Sequence, residues 1–425
     1  MKRALLLLLL FITTALHAET LAIKAARMFD ATSDSVVSNA VVIVDGGRIT
    51  AAGSNLAVPA NARVIDLGDA TLLPGLIDAH VHLTEESGPN WYLDFFNGVM
   101  RHPTEQAHYA AMYAKKTLDA GFTTVRNVGA DDYVDVGLRN AINAGIVPGP
   151  RMLVAVHAIG STGGHGDSNP VPPERMKQSG PLEGVCNGPE ECRAAVRYQI
   201  KYGADVIKCM PSGGVLSMSD PVDAPELTQD EMNAIVEEAH HWGRKVAAHC
   251  HGDAAARVAI QAGVDSIEHG SFLKPDTLQL MKEKGIYLVP TRMAVFWTGG
   301  KPERFPPAIA AKAKAAYAAH ADMFRAALKV GVKIAFGTDS AVSPHGLNAQ
   351  EFGLMTDLGM SPAAALHTAT TSAAQLLGVA DKLGTIEKGK LADLVAVPGN
   401  PLTDIHQTEK VFFVMKEGVV VKNAR

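Results

Sequence analysis

The sequence predicts an α/β protein: a TIM-type (β/α)8 barrel with a small β-sandwich domain that is built from both chain ends. The middle of the chain alternates apolar strand segments with helical segments, as parallel barrels do, whereas both ends are rich in short strands. A barrel takes about 250 residues. The 425 residues of the chain therefore leave room for one barrel and one smaller domain.

The N-terminal segment has the three parts of a secretory signal peptide. Met1-Lys2-Arg3 is positively charged, Ala4 to Leu16 is apolar and rich in leucine, and the small Ala18 precedes Glu19. The alternative is an uncleaved anchor, but a membrane span needs about 20 apolar residues. We expect residues 1–18 to be removed, which predicts a periplasmic or secreted protein without stable membrane association.

Short strands separated by turns mark the two terminal regions. Ala40 to Val44 and Arg48 to Ala52 flank a turn, and Leu391 to Val397 and Val411 to Val421 show the same character near the C-terminus. We therefore assign residues 19–72 and 385–425 to a composite β-sandwich domain and residues 73–384 to the barrel.

Eight apolar segments are candidate barrel strands, and helical segments separate most of them. The candidates are Leu76–Val81, Thr123–Val128, Met152–Val156, Asp205–Met210, Lys245–Cys250, Ser266–His269, Tyr287–Thr291 and Lys333–Thr338. Two of the predicted helices are Pro189–Tyr202 and Gln229–Trp242. Thr228 precedes the second helix and Glu231 follows three residues later, which predicts a capping box.

Charge and cysteine content limit the partners and the compartment. The formal net charge is −5 and there is no long basic run, so we expect no nucleic-acid partner. Cys186 and Cys192 lie close together in a turn-rich stretch, where an oxidising compartment would favour a disulfide. Cys209 and Cys250 lie on apolar strands and are expected to be small core residues.

The strongest functional signal is Asp78-Ala79-His80-Val81-His82, at the end of the first barrel strand. Alternate side chains of a strand share a face. His80 and His82 can therefore hold one metal ion through neutral imidazole nitrogens. Polar groups at the end of a buried strand need partners, which favours a metal site over two ordinary histidines.

Later strands also end in polar side chains, namely Lys208, His249, His269 and Asp339. A lysine that ends a buried strand is costly unless it is paired or neutralised. Each residue alone has an ordinary explanation, such as a core histidine or a capping aspartate. Together they occupy the C-terminal strand ends, where TIM barrels build active sites.

Other residues are candidates for catalysis or substrate contact. His165 lies in a glycine-rich loop, and His251 shares a strand face with His249. Arg292 could pair with a substrate carboxylate, and His345 could line the site, although both could equally be structural. The remaining helical or loop histidines are predicted to be ordinary surface residues: His102, His108, His240, His241 and His320.

The order of these ligands resembles the two-metal subtype of the amidohydrolase superfamily, over essentially the whole mature chain. Residues 75–82 are similar to the start of the family barrel, and residues 384–394 to the return to its small β domain. The resemblance implies one metal ion on His80, His82 and Asp339 and a second on His249 and His269. It also implies that Lys208 carries a carbamate derived from carbon dioxide and bridges both ions.

Flanking motifs narrow the resemblance. Residues 162–166, 267–270, 337–340 and 344–346 are similar to the Xaa-Pro dipeptidase and imidazolonepropionase-related branch, which includes ochratoxin-degrading amidohydrolases. This implies a dipeptidase- or carboxypeptidase-like enzyme that releases a C-terminal amino acid from a dipeptide, from ochratoxin A or from another N-acyl amino acid. The substrate would be a small molecule with a free carboxylate.

The resemblance also implies a mechanism and a metal. A hydroxide shared by two divalent ions would attack the amide carbonyl, and Asp339 would pass its proton to the leaving amine. We expect zinc, although manganese, cobalt and iron suit the same ligands. Relatives are often oligomers, some of them octamers, so a homo-oligomer is expected.

Two other functions stay open. One is a different hydrolase of the same superfamily, such as a cyclic amidase, a lactonase or a deaminase. The other is a non-catalytic binding protein, which the six filled ligand positions disfavour.

Overall fold

The computed structural model describes residues 19–167, 171–175, 177–218 and 220–424. The predicted signal peptide, residues 1–18, lies outside the described residues. Within the described part of the chain, no helix combines the length and the apolar character needed to cross a membrane.

The described chain alternates strands and helices in its middle part and has strands at both ends. The strands are β1 Leu21–Met28, β2 Val37–Asp45, β3 Arg48–Ser54, β4 Arg63–Asp66, β5 Ala70–Pro74, β6 Leu76–Val81, β7 Phe122–Asn127, β8 Arg151–Val154, β9 Val206–Cys209, β10 Lys245–Cys250, β11 Ser266–His269, β12 Tyr287–Val289, β13 Lys333–Ile334, β14 Leu394–Pro398, β15 Phe413–Lys416 and β16 Val419–Asn423. The α-helices are α1 Trp91–Met100, α2 Pro103–Asp119, α3 Val134–Asn143, α4 Pro189–Lys201, α5 Gln229–His241, α6 Asp253–Ala262, α7 Pro275–Lys284, α8 Arg292–Gly299, α9 Pro307–Val330, α10 Gln350–Thr356, α11 Pro362–His367 and α12 Ala373–Leu377.

Both ends of the described chain contribute to one eight-stranded sheet. Its order is β16-β15-β14-β5-β1-β2-β3, and β4 pairs with β1. The antiparallel pairing of β14 with β5 joins the C-terminal strands to the N-terminal ones. Apolar side chains from both halves, including Ile23, Leu72, Leu394 and Phe413, pack into one buried cluster. The two ends of the chain therefore form a single structural unit.

The eight predicted barrel strands correspond to β6–β13 and form two parallel sheets, β6-β7-β8 and β9–β13. β6, β10 and β11 have the predicted bounds. The strand predicted at Lys333–Thr338 is shorter, because only Lys333–Ile334 pairs regularly with β12. Beyond it, the amide of Phe336 donates to the Thr368 carbonyl instead of to a neighbouring strand.

Backbone hydrogen bonds connect the two parallel sheets at both edges. The amide of Ala79 in β6 donates to the carbonyl oxygen of Phe336, just after β13, at 2.8 Å. At the opposite edge, the amide of Asp205 donates to the carbonyl oxygen of Val154 in β8 at 2.7 Å. These bonds place the two parallel sheets side by side, so that strands distant in the sequence end close together.

The predicted capping box at the start of α5 is confirmed. The Thr228 hydroxyl accepts from the amide of Glu231 at 3.3 Å, and the Glu231 carboxylate accepts from the amide of Thr228 at 2.8 Å. Two donors that the helix end would leave unpaired are thereby satisfied.

The cysteine predictions are also confirmed. Cys186 and Cys192 form a disulfide at the start of α4. Cys209 and Cys250 are free and fully buried.

Candidate metal centre

A cavity of about 360 Å³ lies at the C-terminal ends of the parallel strands. All of the predicted metal ligands line it, and so do two further histidines; the set is His80, His82, His165, Lys208, His249, His251, His269 and Asp339. The fold thus brings the predicted set together in one place.

The first potential ligand group consists of His80, His82 and Asp339. The Nε2 atoms of both histidines lie 3.4 Å from Oδ1 of Asp339. The Nδ1 atom of His82 lies 3.1 Å from the carbonyl oxygen of Gly129. If Nδ1 donates to this carbonyl, the lone pair of Nε2 faces Asp339, as metal ligation requires. The ligand atoms of the group lie within 4.8 Å of one another, close enough to share one ion.

The second group consists of His249, His251 and His269, whose ligand atoms also lie within 4.8 Å of one another. Nδ1 of His269 contacts the Thr291 hydroxyl at 2.7 Å, and Nδ1 of His251 contacts the Ser271 hydroxyl at 2.9 Å. Each contact leaves Nε2 available. The sequence predicted two ligands here, and the geometry adds His251 as a third candidate.

Lys208 lies between the two groups, near the end of β9. It is 1% exposed, and its Nζ lies 3.5 Å from Nε2 of His80. Burial lowers the pKa of this amine, which favours its neutral form. The site therefore disfavours an ordinary ammonium group.

Several residues at or after the ends of the parallel strands have a left-handed backbone conformation, which is uncommon for residues other than glycine. Asp339 has a φ of 57° and His269 a φ of 70°. Val156 and Thr291, two β-branched residues in the same kind of position, have φ values of 65° and 47°. Such strain persists only where the surroundings enforce it, and it is concentrated at functional sites.

Glu268 contacts His80 on the side of the ring opposite to Asp339. The sequence reasoning missed this role. Its carboxylate accepts from Nδ1 of His80 at 2.7 Å, from Arg126 at 2.8 Å and from the Ser266 hydroxyl. Burial alone would raise the pKa of Glu268, but Arg126 and His80 lower it to about 2. The anion holds the Nδ1 proton of His80 and leaves Nε2 for the cavity. The sequence did contain one indication of this role, namely a charged residue within a strand predicted to be buried.

Asp78 connects β6 to the segment that carries Asp339. It accepts from the Thr338 hydroxyl at 2.7 Å and from the Asn348 amide group at 2.8 Å. Burial raises the pKa of Asp78 to about 6, although these hydrogen bonds oppose the shift. Asp78 is thus placed to position the ligands and does not line the cavity.

Of the residues proposed for substrate contact, His165 and His251 line the cavity. The ring of His165 lies 4.5 Å from that of His249, centroid to centroid, and its Nδ1 lies 2.9 Å from the Ser217 hydroxyl. Both histidines can therefore reach a molecule bound at the centre.

Arg292 and His345, the other two candidates for substrate contact, are absent from the lining of this cavity. Arg292 is buried at the start of α8, and its guanidinium lies 5.2 Å from the centre of the Tyr317 ring. His345 packs on Tyr113 and contacts the carbonyl oxygen of Glu85 at 2.7 Å. Their contacts with the protein favour structural roles.

The buried carboxyl group of Glu351 caps the N-terminus of α8. It accepts from the amides of Arg292 at 2.9 Å and Met293 at 2.6 Å. Burial raises the pKa of Glu351 to about 8.

One prediction about histidines was wrong. His320 is fully buried on the inner face of α9, where its Nε2 contacts the Pro290 carbonyl at 2.8 Å. A helical position alone did not reveal which face it occupies. The other histidines predicted at the surface are exposed: His102, His108, His240 and His241.

Comparison with known proteins identifies the family. The model of the amidohydrolase family matches residues 71–422. The chain belongs to the amidohydrolase family. This amidohydrolase is 33% identical to an ochratoxinase from Aspergillus niger over 408 residues, which cover 90% of this chain and 83% of the ochratoxinase.

Solved structures agree with the family assignment. A crystal structure of a Xaa-Pro dipeptidase with bound methionine in its active site is 41% identical, with a TM-score of 0.92 over 95% of this chain and 100% of that one. The crystal structure of the A. niger ochratoxinase is 32% identical, with a TM-score of 0.85 over 96% of each chain. The predicted superfamily, its branch and the amide-hydrolase class are confirmed, and metal dependence is typical of this family.

Proposed function

We propose that this amidohydrolase uses two divalent metal ions to cleave an amide or peptide bond and release a C-terminal amino acid. The observation that carries the proposal is the convergence of the predicted ligands on one cavity: His80, His82, Lys208, His249, His269 and Asp339. The similarity to a Xaa-Pro dipeptidase and to an ochratoxinase supports this reaction. Candidate substrates are dipeptides, ochratoxin A and other N-acyl amino acids.

The donor set fits such a metal pair. His80, His82 and Asp339 would hold one ion, and His249 and His269 the other. The two groups of ligand atoms are each compact enough for one cation. Imidazole and carboxylate ligands suit zinc, which we propose as the metal. When bound, such ions polarise a carbonyl and lower the pKa of water to about 7.

Lys208 would join the two halves of the centre as a carbamate. Among the described residues, no carboxylate lies within 4.0 Å of its Nζ, and its polar neighbour there is Nε2 of His80 at 3.5 Å. A positive charge would be strongly disfavoured beside two dications. Reaction of the neutral amine with carbon dioxide would convert it into an anionic ligand.

Asp339 would move the proton in the reaction. Burial opposes ionisation of Asp339, but the neighbouring His80 and His82 hold its pKa below the usual range. The ionised carboxylate can take a proton from the attacking water and deliver it to the leaving amine. His165 and His251 line the same cavity and would contact the substrate.

We infer the architecture that the family suggests. Hydrogen bonds at both edges of the two parallel sheets support closure of β6–β13 into a (β/α)8 barrel. The apolar cluster shared by both chain ends supports a β-sandwich. We further propose a periplasmic or secreted location, from residues 1–18, and a homo-oligomer.

A hydrolysis screen with amino-acid release as the readout tests the function. Dipeptides and N-acyl amino acids should be cleaved, a chelator should stop cleavage, and zinc should restore it. Asp339→Asn should abolish turnover, whereas Asp381→Asn, at an aspartate with a 68% exposed side chain, should not. Cleavage of lactones or cyclic ureas alone would favour the alternative of a cyclic amidase, lactonase or deaminase.

A further inference from the structure

His165 lines the metal cavity although it does not lie on a strand of the parallel sheets. It belongs to the glycine-rich segment 160–166, which follows β8. Glycine gives a backbone more conformational freedom than other residues do. A substrate contact by His165 therefore requires neighbours that fix its position. These neighbours come from a different loop, the one between β9 and α5.

The carboxylate of Glu226 fixes the backbone of His165. Its Oε2 accepts from the amide of His165 at 2.8 Å. Glu226 lies 61 residues further along the chain, so this bond joins two separate loops. A Cβ added at Gly164 would lie 2.6 Å from the same Oε2 atom. The glycine before His165 thus permits the close approach of the carboxylate.

The same loop also contacts the ring of His165. Nδ1 of His165 lies 2.9 Å from the Ser217 hydroxyl, and Lys312 of α9 donates to the Ser217 carbonyl at 2.7 Å. A Cβ added at Gly214 would lie 2.1 to 2.3 Å from three atoms of the ring. Gly214 therefore leaves the space that the ring occupies.

The segment around Glu226 is itself attached to the end of β9. The amide of Glu226 donates to the Pro211 carbonyl at 2.8 Å, and the amide of Gly213 donates to the Ala224 carbonyl at 3.0 Å. Pro211 and Gly213 follow β9, the strand that carries Lys208. Glu226 thereby connects the position of His165 to a strand that supplies a proposed metal ligand.

The second oxygen of the Glu226 carboxyl group has no such contact. Among the described residues, Oε1 is buried and has no hydrogen-bond partner. Burial raises the pKa of Glu226 to about 7, although the bond from the His165 amide opposes the shift. A buried polar atom without a partner costs stability. This cost favours a role for Glu226 in the site over a role in folding alone.

We propose that Glu226 is a positioning residue, which holds His165 in the place where it contacts the substrate. Glu226 does not line the cavity, so it acts on the substrate through His165. Without this acceptor, the His165 amide would lose its partner and the glycine-rich segment could adopt other conformations. The inference rests on the proposed function and on the proposed contact between His165 and the substrate.

A matched pair of variants tests the hydrogen bond in the metal-loaded enzyme. Glu226→Met keeps a similar side-chain size but removes the acceptor, and it should lower kcat/KM about tenfold, mainly through a higher KM. Glu226→Gln keeps an acceptor oxygen and should stay close to the wild type. Glu237→Ala is the control, because that side chain on α5 is 65% exposed. Equal losses in the Met and Gln variants would overturn the assignment to this bond.

A double-mutant cycle shows whether Glu226 acts through His165. The loss caused by Glu226→Met should largely disappear in the His165→Ala background, with the metal content unchanged in all variants. Where His165→Ala abolishes turnover, calorimetric titration with the uncleaved dipeptide measures the same coupling in Kd. A full loss in both backgrounds would overturn the proposal.

Amide hydrogen exchange of His165 provides a readout that needs no substrate. Exchange should be faster in Glu226→Met than in the wild type and nearly unchanged in Glu226→Gln. If Glu226→Met does not fold, Glu226→Asp replaces it, because the shorter side chain withdraws the carboxylate from the amide. An unchanged exchange rate would overturn the proposal. If the wild-type enzyme cleaves no dipeptide or N-acyl amino acid, the proposed function fails, whereas the exchange result still decides whether Glu226 holds His165.

Discussion

Replacing Glu268 by glutamine should lower the affinity of the proposed centre for metal ions, although Glu268 is not itself a proposed ligand. The carboxylate is fully buried and accepts from Nδ1 of His80 at 2.7 Å and from Arg126 at 2.8 Å. An amide nitrogen placed toward His80 would oppose its Nδ1 proton. The proton would then favour Nε2, the atom that faces Asp339 at 3.4 Å, and a protonated Nε2 cannot bind a metal ion.

The size of the effect follows from these contacts. Loss of a hydrogen-bonded partner behind a ligand reduces metal affinity about 10- to 100-fold, which is about 1.4–2.7 kcal/mol. Arg126 would also lose the buried anion that balances its charge. Breaking a buried ion pair costs about 3 kcal/mol or more. Glu268→Gln should therefore lower both metal affinity and the free energy of unfolding of the metal-free protein.

Competition with a chromogenic chelator measures the affinity, and thermal unfolding in excess chelator measures the stability of the metal-free form. Glu237→Gln is the matched control, because that carboxylate is 65% exposed and pairs with Arg193 at the surface. Such pairs contribute at most about 1 kcal/mol. A Glu268→Gln protein with wild-type metal affinity would refute the argument that Glu268 fixes the proton position of His80.

Three further predictions concern other parts of the molecule. Lys208→Ala should remove metal and activity together, as measured by elemental analysis and turnover; retention of both metal ions with normal turnover would contradict its bridging role. Glu351 has its pKa raised by burial to about 8, so its contribution to stability is present at low pH and is lost as the pH rises through 8. The fall in Tm between pH 6 and pH 9 should therefore be smaller in Glu351→Gln, and an unchanged fall would contradict this. Gly75→Ala should destabilise the protein by about 1–3 kcal/mol, because the added Cβ would lie 2.2 Å from the hydroxyl oxygen of Thr123. Gly137→Ala on α3, where the added Cβ meets nothing within 4 Å, is the control and should be neutral or stabilising in denaturant unfolding.

Strand positions were predictable wherever side-chain pattern and hydrogen bonding agree. β6, β10 and β11 have the bounds expected from their apolar runs, because almost all of their residues are buried. The last predicted barrel strand is shorter than expected, because Phe336 is buried but its amide donates to a carbonyl outside the sheet. An apolar run reports burial and does not report the direction of backbone hydrogen bonds.

The clustering of the candidate metal ligands was predictable for a related reason. Strand periodicity places His80 and His82 on one face, and parallel strands bring their C-terminal ends together. Residues on loops lack this constraint. Arg292 follows a predicted strand but lies at the start of α8, outside the cavity lining, and His345 packs on Tyr113. Partners that meet across strands, such as Glu268 with His80, require the three-dimensional register.

This division between strands and loops suggests how the enzyme separates chemistry from substrate choice. The proposed ligands lie at or just beyond the ends of buried strands, where neighbouring hydrogen bonds fix them, as Glu268 fixes His80. Other residues that line the cavity lie on loops, among them His165, Leu216 and Val342. Loops tolerate substitution better than buried strands do. Changes at loop positions such as Leu216 should therefore alter which substrates are accepted while the proposed metal ligands stay in place.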